Sequence, residues 1–220
     1  MGIAICLIDD GRPACLMQSV TSLDQCFPKW PCDKVILTED AGDAQYSALL
    51  QEQYAHLNIQ VHHETRRGLA GALRSAWQTA LDTGAQYVFH LEADFVLLDR
   101  IPISKMIKVL QDNPRLAQVS LKRGPVNDVE RAVGGTIECA PHCYTQRDGF
   151  VEHQTIFTFN PCLIPRSVIE LCLAEPGDGL ERGFTDTLLD HGYSFGIFGR
   201  IEDPARVEHI GHQRSSGWKV

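Results

Sequence analysis

Two carboxylates interrupt an apolar stretch near the middle of the chain. Residues 87–91, Tyr-Val-Phe-His-Leu, have the aromatic and β-branched composition of a buried strand, and Glu92 and Asp94 follow it. Because the two acids are two positions apart, they point to the same side of an extended chain. Burying two like charges is costly unless something compensates them, and Mg²⁺ or Mn²⁺ prefers oxygen ligands of this kind. The alternative is a strand end whose acids simply reach solvent.

Acidic residues also follow the first two apolar segments of the chain. Asp9 and Asp10 come after Ile3–Ile8, and Glu39 and Asp40 come after Lys34–Thr38. Asp is also common in turns, so each pair alone is ambiguous. Acids at the ends of three strands indicate a shared site.

Segments with helical spacing separate these strands. Strands alternating with helices predict βαβ units, and therefore an α/β fold with a mostly parallel central sheet covered by helices on both faces. Ligands of such sheets bind beyond the carboxyl ends of the strands, where the acids fall. The predicted helices are Cys15–Leu23, Tyr46–His56 and Leu69–Asp82, and Ile59–His62 is a further strand.

The second half of the chain has a looser pattern. Residues 127–155 read as irregular, as an acceptor loop or a mobile lid would. The length of 220 residues fits one domain. The predicted helices are Ile103–Gln111, Arg166–Ala174 and Gly183–His191, and the predicted strands are Leu116–Leu121, Ile156–Ile164 and Tyr193–Phe198.

Charge and cysteine content restrict the class of protein. The net charge of −8 argues against a large nucleic-acid footprint, although Lys122, Arg123, Arg131 and Arg147 could form a local basic groove. Eight cysteines without a CxxC pair predict buried thiols in a reducing cytoplasm. The sequence shows no signal-peptide pattern and no apolar run long enough for a membrane span. The segment Cys139–Cys143 has no second ligand pair, which disfavours a zinc site.

The order and spacing of these segments resemble the GT-A-fold glycosyltransferases, especially the family-2-like inverting enzymes. The resemblance implies a GT-A-like three-layer α/β/α domain over residues 1–220, with residues 1–100 binding the nucleotide sugar and residues 101–220 binding the acceptor. The segments that carry it are Ile3–Arg12, Val35–Asp40, Arg66–Arg74, His90–Asp94 and Gly179–Tyr193.

The resemblance also implies a metal-dependent enzyme that moves a sugar from a nucleotide-sugar donor to a hydroxyl acceptor with inversion. Asp94 is the first expected ligand of Mn²⁺ or Mg²⁺, and Glu92 would reach the metal, a metal-bound water or the donor ribose. His209 or His212 would complete the coordination from the tail, with His209 preferred. Mn²⁺ accepts imidazole better than Mg²⁺ does.

The remaining roles follow from the same resemblance. Asp9, Asp10 and Asp40 would contact the base and ribose of the donor, and Arg67 and Arg74, together with Arg66, would pair with its phosphates. An inverting transfer needs a general base. Asp186 and Glu181 are the candidates because they lie in the segment similar to the family's base motif, where the usual adjacent Glu-Asp pair is absent. Asp186 is preferred because it lies at a helix start, close to the family's spacing from Gly192-Tyr193.

Other functions remain open. A sugar-phosphate nucleotidyltransferase would carry a Gly-rich, Arg-containing loop after the first strand, and residues 9–13 do not supply it. A NAD-dependent dehydrogenase would need a GxGxxG motif there. A non-catalytic binding module on a decayed transferase fold would lack metal-dependent hydrolysis of the donor. The acceptor is open between a glycan, a lipid carrier, a small metabolite, a protein and a hydroxymethylated base of viral DNA.

Overall fold

Strands and helices alternate along the first half of the chain, as the sequence predicts. The computed structural model describes residues 2–27, 34–55, 59–63, 66–175 and 181–211. The first half contains β1 (Ile3–Asp9), α1 (Pro13–Cys26), β2 (Lys34–Glu39), α2 (Ala44–Gln53), β3 (Ile59–His63), α3 (Gly68–Asp82) and β4 (Tyr87–Glu92).

The second half adds shorter elements. They are β5 (Phe95–Leu97), α4 (Ile103–Asp112), β6 (Leu116–Ser120), α5 (Asp128–Val133), α6 (Thr136–Cys139), a 3-10 turn (Pro141–Cys143), β7 (Tyr144–Gln146), β8 (Phe150–His153), β9 (Cys162–Pro165), α7 (Arg166–Ala174), α8 (Glu181–Asp190), β10 (Ser194–Phe198) and β11 (Val207–His209). Among the described residues, no helix is both long and apolar enough to cross a membrane.

Strands from both halves of the chain form one nine-stranded sheet with the order β3-β2-β1-β4-β9-β6-β10-β8-β7. Only β8 and β9 run against the other strands, so the sheet is mostly parallel. Asp9 pairs in register with Glu39, and Ile8 pairs with Glu92. The acidic ends of β1, β2 and β4 therefore lie level at one edge of the sheet.

Helices cover both faces of this sheet. Ile5 and Leu7 of β1 belong to the core cluster that includes α1, whereas Ala4 and Cys6 belong to the cluster of α3. Alternate side chains of β1 thus pack into two separate hydrophobic cores, one on each face of the sheet, as expected for a three-layer α/β/α fold. Trp77 of α3 is fully buried, which confirms that it is a core residue.

The predicted strand Ile156–Ile164 is wrong over most of its length, because regular pairing begins only at Cys162. Two backbone amides before it donate to side chains of α8. The amide of Phe157 donates to Thr185 Oγ1 at 2.8 Å, and the amide of Phe159 donates to Glu181 Oε1 at 2.7 Å. The rings of Phe157 and Phe159 both pack against Trp77. Two buried aromatic residues two positions apart give the same alternating pattern as a strand.

The prediction that residues 127–155 are irregular is also wrong, because the segment contains α5, α6, β7 and β8. Asn127 caps α5 by accepting from the amide of Glu130 at 2.9 Å, and Gly134 ends the helix with a φ of 109°. A capping residue followed three positions later by Glu is a recognised signal for a helix start. The elements are too short for periodicity to show them.

Candidate functional site

Asp9, at the end of β1, is fully buried although it carries a carboxylate. Its Oδ2 accepts from the hydroxyl of Tyr46 at 2.9 Å, and its Oδ1 has no hydrogen-bond partner in the described part of the protein. Burial raises the pKa of Asp9 to about 6, with the Tyr46 hydrogen bond opposing the shift. A buried acceptor without a partner is costly, so this position suits a ligand that donates a hydrogen bond.

Asp40, the residue after β2, holds the start of α3. Its Oδ1 accepts from the backbone amide of Arg67 at 2.8 Å, and its own amide donates to the Asp9 carbonyl at 2.9 Å. Burial raises the pKa of Asp40, and the Arg67 amide opposes this effect. The carboxylate therefore satisfies one of the amide groups that a helix start leaves free.

Arg12 is a site residue that the sequence reasoning missed. It follows Gly11, whose φ of 84° turns the chain after β1, and it precedes α1. Its Nε donates to Asp10 Oδ1 at 2.6 Å, and its Nη2 donates to Asp94 Oδ2 at 2.8 Å. One guanidinium thus compensates two buried carboxylates from different strand ends. The only signal in the sequence is a single basic residue in an otherwise acidic turn.

Asp94 lies in the loop between β4 and β5, and the C-terminal strand β11 brings a histidine to it. His209 Nε2 is 3.2 Å from Asp94 Oδ2, and the imidazole packs on Phe95 with ring centroids 4.9 Å apart. The amide of Ile210 donates to the Asp94 carbonyl at 2.8 Å. Burial alone would raise the pKa of Asp94, but the hydrogen bonds from His209 and Arg12 lower it.

The donor atoms around Asp94 fit a divalent cation in part. Asp94 Oδ1 is buried and has no partner among the described residues, and the imidazole of His209 lies beside the same carboxylate. A carboxylate with an imidazole suits Mn²⁺. No group of three His, Cys, Asp or Glu side chains that could hold a metal occurs in the described ranges. The protein would therefore supply two ligands, and phosphate and water would supply the others.

Glu92 is half-buried at the end of β4, close to several other acids. Burial raises the pKa of its carboxyl well above the usual range, and the charges of Asp94, Glu181 and Asp10 add to this shift. Glu92 and Asp94 are close enough for their charges to interact, although residues 93–94 form a turn and not the extended chain that the sequence analysis assumed. A cation near them would relieve the repulsion between these groups.

A cleft of about 520 Å³ opens at this edge of the sheet. It brings together three of the predicted site residues, Glu92, Glu181 and His209, which come from β4, α8 and β11. The other lining residues are Leu69, Phe95, Arg123, Val126, Ile156, Phe159, Asn160 and Arg182.

The basic residues of the cleft differ from those expected to pair with the donor phosphates. Arg67 and Arg74 do not line it, whereas Arg123 and Arg182 do. The guanidinium of Arg123 donates to both carboxylate oxygens of Glu130, at 2.6 and 2.8 Å. The hydrogen bonds of this bidentate pair lower the pKa of Glu130 to about 2, and their effect outweighs that of burial, which raises the pKa. The pair fixes Arg123 at the cleft wall.

The two candidate bases lie in different surroundings. Glu181 begins α8, and its Oε1 accepts from the Thr158 hydroxyl at 3.0 Å and from the Phe159 amide at 2.7 Å. Asp186 is exposed and pairs with Arg182 at 3.1 Å on the surface of the helix. Only Glu181 faces the cleft. The expected ligand His212, and residues 179–180 of the acceptor segment, lie outside the described residues.

The solved structures that share this architecture include one that matches almost the whole chain. It is the crystal structure of GalNAc-T7 with UDP, GalNAc and Mn²⁺, which superimposes with a TM-score of 0.68 over 99% of this chain at 15% sequence identity. The chain spans 44% of the length of that protein. No protein-family model and no curated protein matches the sequence. The similarity shows a GT-A-like glycosyltransferase fold.

Proposed function

We propose that this protein is a metal-dependent glycosyltransferase that moves a sugar from a nucleotide-sugar donor to a hydroxyl acceptor. One observation carries the proposal: a candidate base, Glu181, and the histidine beside Asp94 border the same cleft at the carboxyl edge of a GT-A-like sheet. The bound UDP and Mn²⁺ of GalNAc-T7 are consistent with a donor and a cation of this type.

Glu181 is the proposed general base. Its Oε1 is held by two hydrogen bonds, and in the described residues its Oε2 accepts none, so one oxygen is oriented and the other is available to an acceptor hydroxyl. The acceptor oxygen forms a bond to the anomeric carbon while its proton passes to Glu181. The bond from that carbon to the diphosphate breaks, and the diphosphate leaves with the electron pair. This single displacement inverts the anomeric configuration.

Asp94 and His209 are the proposed ligands of the cation. A divalent cation bound there stabilises the negative charge that develops on the departing diphosphate. Arg12 orients Asp94 by donating to Oδ2, the same oxygen that His209 contacts, and the packing of His209 on Phe95 fixes the imidazole. Arg182, which lines the cleft and is exposed, is placed to contact phosphate oxygens.

The nucleoside of the donor is proposed to lie at the ends of β1 and β2. Asp9 offers a buried Oδ1 that has no partner in the described residues, and a ribose hydroxyl is a suitable donor to it. Asp10 and Asp40 are held by Arg12 and by the Arg67 amide, so their carboxylates are fixed in place at these strand ends.

The test is thermal stability against a panel of nucleoside diphosphates, each with and without Mn²⁺. A nucleotide that binds the folded state at a hundredfold excess over its Kd adds about 2.7 kcal/mol of stability. We expect one nucleotide to raise the melting temperature in a Mn²⁺-dependent way, and Asp94→Asn and His209→Gln to lose the metal-dependent part. No shift with any nucleotide would contradict the proposal and favour a binding module.

A further inference from the structure

A second, more enclosed cavity of about 220 Å³ adjoins the cleft. The two share Arg123, Ile156, Asn160 and Glu181, so the proposed base lies on their common wall. The residues that line only this second cavity are Ser120, Leu121, Lys122, Thr136, Ile137, Tyr144, His153, Thr158 and Ile197.

The walls combine flat apolar surface with neutral hydrogen-bonding groups. The rings of Tyr144 and His153 lie 5.1 Å apart, and isoleucine side chains contribute further apolar surface. The carboxamide of Asn160 has no hydrogen bond to any described side chain or backbone group, and it faces both spaces. A sugar ring has the matching character, since its C–H faces pack on aromatic and apolar groups while its hydroxyls form hydrogen bonds.

The cationic side chains that line the cavity are already paired. Arg123 is held by both oxygens of Glu130, and Lys122 donates to the Ile201 carbonyl and lies 3.7 Å from Glu138. Burial lowers the pKa of His153 to about 4, so this imidazole is neutral at pH 7. No cation of the lining is left to bind a phosphate or a carboxylate. The chemistry of the cavity therefore favours a neutral ligand.

The size of the cavity limits the ligand further. Pockets for drug-sized ligands start near 300 Å³. The space thus has the size expected for a small ligand such as a single sugar ring.

We propose that this cavity binds a single neutral sugar ring, and that this ring is the acceptor. The acceptor role rests on the proposed transferase function, because it requires a ring hydroxyl to meet Glu181 at the common wall. The ring is either a free monosaccharide or the terminal residue of a longer chain. Both sources present the same neutral polyhydroxylated surface.

The experiment is saturation-transfer NMR on the full chain with methyl glycosides of glucose, galactose, mannose, N-acetylglucosamine and N-acetylgalactosamine. It is run with and without a nucleoside diphosphate and Mn²⁺. Thr136→Phe places an aromatic ring in the cavity. Val133→Phe, at a position that is 47% exposed and lines neither space, is the matched control. Tyr144→Ala provides a second cavity variant if Thr136→Phe does not fold.

We expect at least one methyl glycoside to bind the wild type and Val133→Phe, and to bind Thr136→Phe or Tyr144→Ala at least tenfold more weakly. A disaccharide that receives saturation only on its terminal ring would indicate a chain end, and a disaccharide without signal would indicate a free monosaccharide. The proposal is overturned if no glycoside binds under either condition, if both cavity variants bind like the wild type, or if sugar phosphates bind more tightly than neutral sugars.

The result is independent of the donor test. Glycoside binding without any nucleotide-dependent stabilisation would preserve the sugar site and contradict the transferase. Nucleotide binding without glycoside binding would support the transferase and contradict the sugar site.

Discussion

Arg12 Nη2 lies 2.8 Å from Asp94 Oδ2, and this contact joins the turn after β1 to the loop after β4. The same guanidinium donates to Asp10 at 2.6 Å, so one positive charge compensates two carboxylates that are buried at the carboxyl edge of the sheet. Removing one partner of a buried ion pair leaves an uncompensated charge. The geometry of Asp94, the proposed metal ligand, therefore depends on Arg12.

We expect Arg12→Gln to lower the free energy of unfolding by about 3–5 kcal/mol, the usual cost of breaking a buried ion pair. Arg12→Lys should be intermediate, because a single ammonium cannot bridge two carboxylates in forked geometry. Denaturant unfolding at pH 7.5 measures both. Arg182→Gln is the control, since that pair with Asp186 is exposed and should contribute little. Equal stability of Arg12→Gln and Arg182→Gln would show that the Arg12 bridge does not matter.

Gly211 lies against this bridge, where the chain continues from β11. A Cβ at this position would overlap Asp94 Oδ2 and approach Arg12 Nη1 to 2.8 Å. We therefore expect Gly211→Ala to cost about 1–3 kcal/mol, as overpacking typically does, and to weaken Mn²⁺ binding by displacing Asp94. At Gly124 an added Cβ would meet only the Val207 carbonyl, at 3.9 Å.

Gly124→Ala is thus the matched control for the same substitution, and thermal unfolding with a Mn²⁺ titration compares the two variants. Equal Mn²⁺ affinities of Gly211→Ala and Gly124→Ala would show that the close approach of Gly211 to Asp94 has no role in Mn²⁺ binding.

The acidic edge of the sheet was predictable because it depends on local pattern. Buried parallel strands read as apolar runs, and parallel register places their carboxyl ends level, so Asp9 and Glu92 had to come close. The bridge by Arg12 was not predictable in this way. It depends on a contact between residues 82 positions apart, and no local pattern specifies which cation meets which acid.

The choice between Glu181 and Asp186 shows the same limit. Side chains five positions apart on a helix point about 140° away from each other, so only one of the two can face a given cleft. The sequence did not show which face of α8 packs on the core. In the structure the buried residues Phe184 and Leu188 fix that face, and Glu181 lies at the cleft.

Asp9 should make stability depend on pH. Its pKa is about 6 in the folded protein and near 3.8 in the unfolded chain, so the folded state binds more protons between these values. The contribution of Asp9 to stability therefore rises as the pH falls from 6 to 4, and above pH 6 its ionised, buried carboxylate costs up to about 3 kcal/mol.

We expect Asp9→Asn, whose amide oxygen can still accept from Tyr46, to be more stable than the wild type above pH 6. The two proteins should converge as the pH approaches 4. Denaturant unfolding from pH 4 to 8 measures the difference, and Asp43→Asn, an exposed cap of α2, is the control. A difference between Asp9→Asn and the wild type that stays constant with pH would contradict the raised pKa of Asp9.

Glu181→Gln and Asp186→Asn separate the two candidate bases. The glutamine oxygen can still accept from Thr158 and from the Phe159 amide, so the first variant should fold and bind donor normally. Loss of a general base lowers kcat by about 10²–10⁴-fold. We expect that loss for Glu181→Gln with little change in donor KM, and a near wild-type rate for Asp186→Asn because its side chain lies on the helix surface. Release of nucleoside diphosphate from the donor, followed in the presence of acceptor, provides the rates. The assignment of Glu181 is wrong if Asp186→Asn shows the larger fall in kcat.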